Sequence, residues 1–468
     1  MQKRVYVNLF IVSFVLMGLE MTATRLIAPS FGNTVYTWGI VISVFLIGSS
    51  LGYMIGGFLA DRSSGSQWMF WLYLLGMLLI GMIPVIKNTV FPFLEVLSSL
   101  LGTTVGVLVL YFIPNILFSI IVTMLMKDGL EKVVTGKVIG NLHTSSALGS
   151  VLGTLVTTFL LIPLTDIHTV IATLVGMLLV AYLIYFYSHK NIKILVLFLP
   201  IISVLLPFVP DNLSSVGLLY EETSLYHDIQ VYQTDDFEGV PGDYRYLTFG
   251  NDDTIQGIMD MEEPETLLLE YTQHIWEVVN RYAANSDRIF MVGHGIGSLT
   301  SKFESEIEEV RVAELDKGVL EASKNYFLYR GNSVEIGDGR KILKEQSKLF
   351  DVIVLDAYHD TRQIPFHLIT QEFFALTKEK LQDDGLLVIN AIGTPKDDLL
   401  IESMYTTIKS VYQEVYILAE RDEDELQNLI FIGTNDPLDM KKIEGLDNVE
   451  VKEGELIKDG NTKLMNLN

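Results

Sequence analysis

Residues 288–297 read RIFMVGHGIG. The run Arg288–Val292 is apolar and β-prone, and it enters three glycines at alternate positions, Gly293, Gly295 and Gly297. This is the pattern of a buried strand running into a tight turn. Glycine lets the backbone approach a ligand closely, and the helix that follows offers its N-terminus. A purely structural turn explains the same glycines equally well, so their meaning depends on what comes after them.

Downstream, strands and helices alternate. Val310–Leu315, Ser333–Ile336, Asp351–Leu355 and Leu386–Asn390 read as strands, and Lys317–Tyr326, Thr370–Lys380 and Asp397–Tyr412 as helices. That alternation predicts a parallel sheet with helices on both faces, closed by a last strand pair at Val415–Leu418 and Leu429–Gly433. Ligands of such sheets lie beyond the carboxyl ends of the strands. The first end is the glycine turn. The second is Glu314, seventeen residues after Gly297, where a carboxylate can accept both hydroxyls of a ribose. The third is Gly337-Asp338-Gly339, where an acid can accept from an adenine amino group, and the fourth is Asp356. Each acid alone reads as a solvated or helix-capping residue. Four such features at four consecutive strand ends point to a pocket for an adenosyl ligand.

Upstream, Thr266–Tyr282 has helical periodicity. Residues 211–262 read as a small β-domain, with strands at Asp228–Thr234 and Tyr244–Phe249 and a turn at Gly239–Gly242. The α/β domain then occupies 263–440 and a C-terminal tail 441–468.

Residues 1–210 have another character. Seven apolar stretches are long enough to cross a bilayer: 5–27, 36–60, 68–86, 104–126, 138–162, 167–187 and 192–209. Residues 89–103, with Pro92 and Glu95, read as a loop or interfacial segment. Gly48, Gly52, Gly56 and Gly57, then Gly149 and Gly153, have the spacing of close helix packing. Glu20 and Arg25 are ionisable groups within the first span, which is where transport sites are sought, although Arg25 can also snorkel to the interface. The short connections place Lys3, Arg4, Arg62, Lys127, Lys132, Lys137, Lys190 and Lys193 on one side, cytoplasmic by the positive-inside rule. Seven crossings put the acidic domain outside the cell, and six keep it inside. The segment 192–209 carries Pro200 and Pro207 and reaches only about 27 Å, so the side stays open.

Residues 1–210 carry a net charge of +4 and residues 211–468 carry −28. A domain so acidic repels phosphate backbones, which argues against nucleic acid, and attracts cations such as polyamines. With no cysteine, disulfides, zinc thiolates and thiol catalysis are excluded.

The order Val292-Gly293-x-Gly295-x-Gly297, Ala313-Glu314-Leu315-Asp316, Ile336-Gly337-Asp338-Gly339, Phe350 to Asp356 and Leu368 to Phe374 resembles spermidine synthase. Ser224-x-Tyr226-His227-x-Ile229 and Gln256 resemble that family's N-terminal β-domain, and the likeness covers roughly 215–435. With the bundle included, the chain resembles bacterial membrane-fused proteins of this kind. The resemblance implies a multi-pass cell-membrane protein: an α-helical transmembrane bundle of about seven spans, followed by a Rossmann-like α/β domain of the methyltransferase type behind a small β-domain. It implies transfer of an aminopropyl group from decarboxylated S-adenosylmethionine, as co-substrate, to putrescine or another amine, with no metal and no tightly bound cofactor. Asp356 would be catalytic. Gly293, Gly295, Gly297, Glu314, Asp338 and Gly339 would hold the nucleoside, and Tyr226, Gln256, Glu270, His274 and Asp360 the amine side. The implied partners are membrane lipid and a small amine, with a homodimer left open.

The sequence departs from the family in three places. Ile296 stands where the family's loop has an Asp that disfavours ordinary S-adenosylmethionine. Leu268-Leu269 replace a Tyr-His, and Asp356-Ala357-Tyr358-His359-Asp360 replaces an Asp-Ser-x-Asp-Pro loop. The nucleotide half of the site persists, while parts that choose donor and amine have changed. A methyltransferase on the same fold is therefore one rival. A transporter whose acidic domain senses a ligand is another.

Overall fold

The computed structural model describes residues 2–31, 35–62, 65–94, 97, 99–130, 134–186, 205, 217–224, 226–249, 254–284, 286–357, 364–420, 425–439 and 445–460. Contacts divide the chain into two compact units, Met1–Ser214 and Ser215–Asn468.

The first unit is helical. Its elements are α1 (Gln2–Phe31), α2 (Val35–Arg62), α3 (Gly65–Gly81), α4 (Ile83–Leu94), α5 (Ser99–Val107), α6 (Ile113–Leu130), α7 (Gly136–Val156), α8 (Ile162–Leu164) and α9 (Ile167–Phe186). Single π-helical turns at Leu108–Phe112 and Thr157–Leu161 join α5 to α6 and α7 to α8. Among the described residues five helices are long and apolar enough to cross a membrane, or six if the bent pair Trp68–Gly81 and Ile83–Leu94 is one span. The 53° bend of that pair falls beside Pro84, whose ring cannot pack against the preceding turn. Residues 89–94 are helical rather than a loop, with Pro92 inside the last turn of α4. The candidate span 192–209 falls outside the described residues, Leu205 excepted.

Close backbone approach and side-chain hydrogen bonds pair the helices. A Cβ on Gly149 or Gly153 of α7 would lie 2.2 and 2.3 Å from the Phe10 and Phe14 carbonyls of α1, so the two backbones touch. Ser145 and Ser146 add hydrogen bonds to the Tyr6 carbonyl and to Ser13. On the other side, Tyr73 donates to Asn8, and Asn115 of α6 bonds Ser49 and the Phe45 carbonyl of α2. Glu20 and Arg25 are half-buried on α1.

The second unit holds two sheets. Strands β1 (Leu218–Thr223), β2 (Asp228–Phe237), β3 (Val240–Phe249) and β4 (Ile255–Asp260) form an antiparallel meander. Its β2–β3 turn is Glu238-Gly239, with φ of 54° and 81°. That conformation suits a two-residue hairpin, so the turn closes earlier than Gly239–Gly242.

The larger sheet runs in the order β12-β10-β11-β9-β8-β5-β6-β7. Its strands are β5 (Arg288–Val292), β6 (Glu309–Glu314), β7 (Val334–Ile336), β8 (Phe350–Leu355), β9 (Leu381–Gly393), β10 (Glu414–Ala419), β11 (Gln427–Thr434) and β12 (Asp447–Asn448). Strands β5 to β9 are parallel, and β10 to β12 join antiparallel. Alternate residues go to opposite faces, as a period of two requires. Phe290, Ile353, Leu387 and Ile389 enter one core, while Ile289, Met291, Val352, Val354 and Val388 enter the other. Both faces are buried, which is why these strands read as unbroken apolar runs.

The helices are α10 (Glu270–Tyr282), α11 (Ser298–Glu306), α12 (Lys317–Tyr326), α13 (Gly339–Glu345), α14 (Gln371–Lys380) and α15 (Leu399–Lys409). Helix α10 begins at Glu270, not Thr266: Asp260 accepts from the Glu262 and Glu263 N–H groups and Thr266 N–H donates to the Glu263 carbonyl, so the chain turns before the helix starts. Residues 445–460 return across the sheet and bury Val449 and Ile457 in the first core.

Replacing Gly153 by Leu should separate α1 from α7 and destabilise the full chain in detergent by about 1–3 kcal/mol. Gly57→Leu, where a Cβ meets nothing within 4 Å, should leave thermal unfolding unchanged. Equal unfolding temperatures for the two variants would refute the packing assigned to Gly153.

Candidate active site

The direction of the parallel connections reverses at β5, which lies between β8 and β6. The chain leaves each strand there still paired to its neighbour. Gly293 N–H donates to the Ala313 carbonyl at 2.9 Å, Asp356 N–H to Val292 at 2.9 Å and Gly337 N–H to Glu314 at 2.8 Å. The carboxyl ends of the strands are thus held together, and the space above them is a pocket.

Gly293, Gly295, Glu314, Asp338, Gly339, Asp356 and Gln256 all line this pocket. Gly297 lies just outside as the left-handed N-cap of α11. Tyr226 is also outside the lining and is 44% exposed. Glu270 borders a second cavity with Leu268, Leu269, Glu420 and Glu425, and His274 lies 3.9 Å from Glu420. Asp360 falls outside the described residues.

Glu314 is buried, and each of its oxygens accepts one backbone N–H: His294 at 2.9 Å and Asp316 at 2.8 Å. Burial pushes its carboxyl above the usual carboxylate range, against those two donors. Two lone-pair positions remain for hydroxyl donors. Asp338 caps α13 by accepting from Lys341 N–H at 2.8 Å, and its other oxygen lies 2.7 Å from His367 Nε2. Asp356 accepts from Asn390 at 2.9 Å, and Asn390 in turn accepts from Asn428 at 2.9 Å. Burial pushes the Asp356 carboxyl up to about 6, opposed by hydrogen bonds from Asn390 and Tyr271. A carboxylate tuned so near neutrality is suited to moving or holding a proton.

Sequence reading passed over His294 and met Asp316, Ser224 and His227 only as parts of the quoted motifs. His294 stands between the glycines. Its ring bonds Thr300 at 3.0 Å and Ser323 at 2.9 Å, and burial lowers it to about 3, so it is a neutral tie between the loop and helices α11 and α12. Asp316 caps α12 and takes hydrogen bonds from His227, at 2.9 Å, and from Ser224. Burial works against its charge, yet those bonds hold its carboxyl below the usual range. His227 also stacks on Phe249 at 4.0 Å, and both rings line the pocket. The Ser224-x-Tyr226-His227 segment therefore docks the small sheet onto the second strand end. Ile296 turns away from the pocket into the apolar cluster of Ile229, Val231, Leu247 and Phe327, where Gly257 leaves room for it. Ile296 stood out in the sequence as a departure in the loop, whereas His294, between two glycines, gave no signal of its role.

Comparison with known proteins finds likeness to one family. The family model for the spermine/spermidine synthase domain matches residues 268–420. The polyamine aminopropyltransferase of Vibrio vulnificus is 28% identical over 233 residues, covering 48% of this chain and 73% of that protein. That of Korarchaeum cryptofilum is 27% identical over 153 residues, covering 30% of this chain and 47% of the relative. A probable polyamine aminopropyl transferase of Bifidobacterium longum is 24% identical over 238 residues, covering 49% and 51%. The chain thus spans about half the length of the last two. The crystal structure of a probable spermidine synthase from Corynebacterium glutamicum superposes with a TM-score of 0.45 at 17% identity, covering 53% of this chain and 98% of that one.

Gly293 has φ of 95°, and a Cβ there would lie 1.9 Å from the Asp356 carbonyl oxygen. Gly293→Ala should therefore cost about 3 kcal/mol or more, read as thermal unfolding of the purified chain. Gly295→Ala, at φ of 54° with nothing within 4 Å, should cost only about 1 kcal/mol. A reversed ranking would contradict the close approach of the first and fourth strand ends.

Proposed function

We propose that this spermidine synthase-like transferase moves an aminopropyl group from decarboxylated S-adenosylmethionine to an amine such as putrescine, and that its helical unit anchors it in a membrane as a multi-pass protein. The carrying observation is that Glu314, Asp338 and Asp356, from three successive strand ends, line one pocket with the glycine turn. Glu314 takes the ribose hydroxyls on its two remaining acceptor positions. Asp338 faces the adenine amino group, and the turn wraps the sulfonium side chain.

The chemistry asks little more than positioning. The amine lone pair attacks the carbon beside sulfur, the C–N bond forms as the C–S bond breaks, and the electron pair stays on sulfur as neutral methylthioadenosine. The nitrogen must arrive unprotonated. Asp356 holds the amine, and with its affinity for protons raised toward neutrality it accepts the proton that leaves. Gln256 lies on the approach. The donor's amine end is where a second reading enters. Ile296 offers no acid there, which favours ordinary S-adenosylmethionine and methyl transfer on the same fold.

Product identity decides between them. Full-length protein in detergent, given either donor and a panel of amines led by putrescine, should release methylthioadenosine only when amine is present, and Asp356→Ala should abolish it. S-adenosylhomocysteine would make the methyltransferase reading correct, and no turnover with either donor would remove both. The rate should fall as pH drops through about 6, where Asp356 gains a proton. Asn390→Leu removes a donor that favours the charged form, so this acid limb should move to higher pH. Anchoring predicts that the chain stays with the membrane pellet through alkaline carbonate extraction; release into the supernatant would refute it.

A further inference from the structure

The nucleoside end of the pocket has a support that begins far away in sequence, at the end of the described chain. Asp459 receives both Nη atoms of Arg340 at 2.7 Å and the Thr370 hydroxyl at 2.7 Å. Its own N–H donates to Glu372 at 3.0 Å, while Gln371 N–H donates to the Ile457 carbonyl at 2.9 Å. The same Arg340 donates from Nη1 to the His367 carbonyl at 3.2 Å. His367 sits on the 3-10 turn Phe366–Leu368, it lines the pocket, and its Nε2 meets Asp338 at 2.7 Å. An imidazole nitrogen this close to a carboxylate oxygen donates, so Nε2 carries the hydrogen.

Asp338 needs this help. Its backbone precedes the short helix α13, and Lys341 N–H fixes only one of its oxygens. Without a second donor the carboxylate can turn about its terminal torsion, which is a soft one. His367 stops that rotation and leaves about two acceptor positions for the base. Arg340, one residue beyond Gly339, is held by a bidentate pair, the geometry that gives a guanidinium direction as well as affinity.

We propose that His367 is a positioning residue for the purine-reading carboxylate of Asp338, and that the C-terminal segment, through the Asp459–Arg340 clasp, holds His367 in place. The proposal rests on the nucleoside pocket described above and assigns it a specificity element drawn from the chain's own C-terminal segment. A fixed carboxylate accepts from a 6-amino purine and repels the oxygen of a 6-oxo purine, so the clasp acts on base selection.

The test uses the full chain in detergent and calorimetric binding of 5′-methylthioadenosine and its 6-oxo counterpart, 5′-methylthioinosine. His367→Leu should weaken methylthioadenosine about tenfold and narrow the preference for it over methylthioinosine. His367→Gln, which restores an N–H donor, should recover most of both. The KM for the amine should not move. Asp459→Asn should weaken methylthioadenosine several-fold in the parent chain and have no further effect beside His367→Leu, because it acts through that residue. Unchanged base preference in His367→Leu overturns the proposal, and so does an Asp459→Asn effect that persists in full in the double variant. If the parent chain binds neither nucleoside, the pocket reading itself falls and takes the clasp with it. Parent binding with an unaltered His367→Leu overturns the clasp alone.

Discussion

The site depends on one buried carboxylate. Glu314 ends β6 out of water and spends one lone pair of each oxygen on backbone N–H groups, His294 from the glycine turn and Asp316 from the start of α12. Leaving such a charge buried without partners would be costly, so the two loops are held where they can pay for its desolvation. The same two bonds define the floor of the pocket. The glycine turn is thus fixed at Gly293 by close approach to Asp356 and at His294 by Glu314. An acid bound in this way keeps half of its accepting capacity for a ligand, and the direction of that capacity is set before the ligand arrives.

Around this centre the small sheet is a wall, not an appendage. His227 reaches from the β1–β2 connection to Asp316, the residue whose N–H Glu314 accepts, so the wall and the floor share one hydrogen-bonded chain. Ile296 completes the attachment from the other direction, leaving the glycine turn to enter the apolar side of the meander. A polar residue at 296 would have to be buried there or pull the turn out of place. Ile296 therefore matters for the docking of the sheet.

Much of the second unit was legible in the sequence because parallel strands buried on both faces announce themselves as apolar runs, and because turns after them are read from glycine and acid positions. Arg288–Val292 coincides with β5, and Glu314, Asp338 and Asp356 fall where the ends of β6, β7 and β8 bring them together. What spacing could not reveal is contact between residues far apart in the chain. His367 lies 29 positions from Asp338, and Asp459 lies 119 from Arg340. Asn390 was visible only as the last residue of a strand, and its amide becomes meaningful only beside Asp356. Glu270 and His274 matched a family pattern on a helix, but which wall of the pocket a helix side chain reaches depends on rotation about the helix axis. Here α10 turns Tyr271 to the pocket and Glu270 to the neighbouring cavity as well.

Charge acts on two length scales in the proposed reaction. The −28 carried by residues 211–468 produces a field that raises the local concentration of cations over a distance of about 10 Å, the range that salt screening permits. Both proposed substrates, a sulfonium donor and an amine, are cationic. That long-range attraction favours binding of the protonated amine, which is not nucleophilic. The short-range task of Asp356 is the opposite one, to take a proton away, and a fully solvated carboxylate would do it poorly because its own proton affinity is too low. Burial corrects this by raising Asp356 to about 6 while Asn390 and Tyr271 keep it from rising further. The acidic surface and the tuned acid are therefore separate requirements, one for gathering cations and one for discharging them, and reducing the first would slow encounter without altering the second.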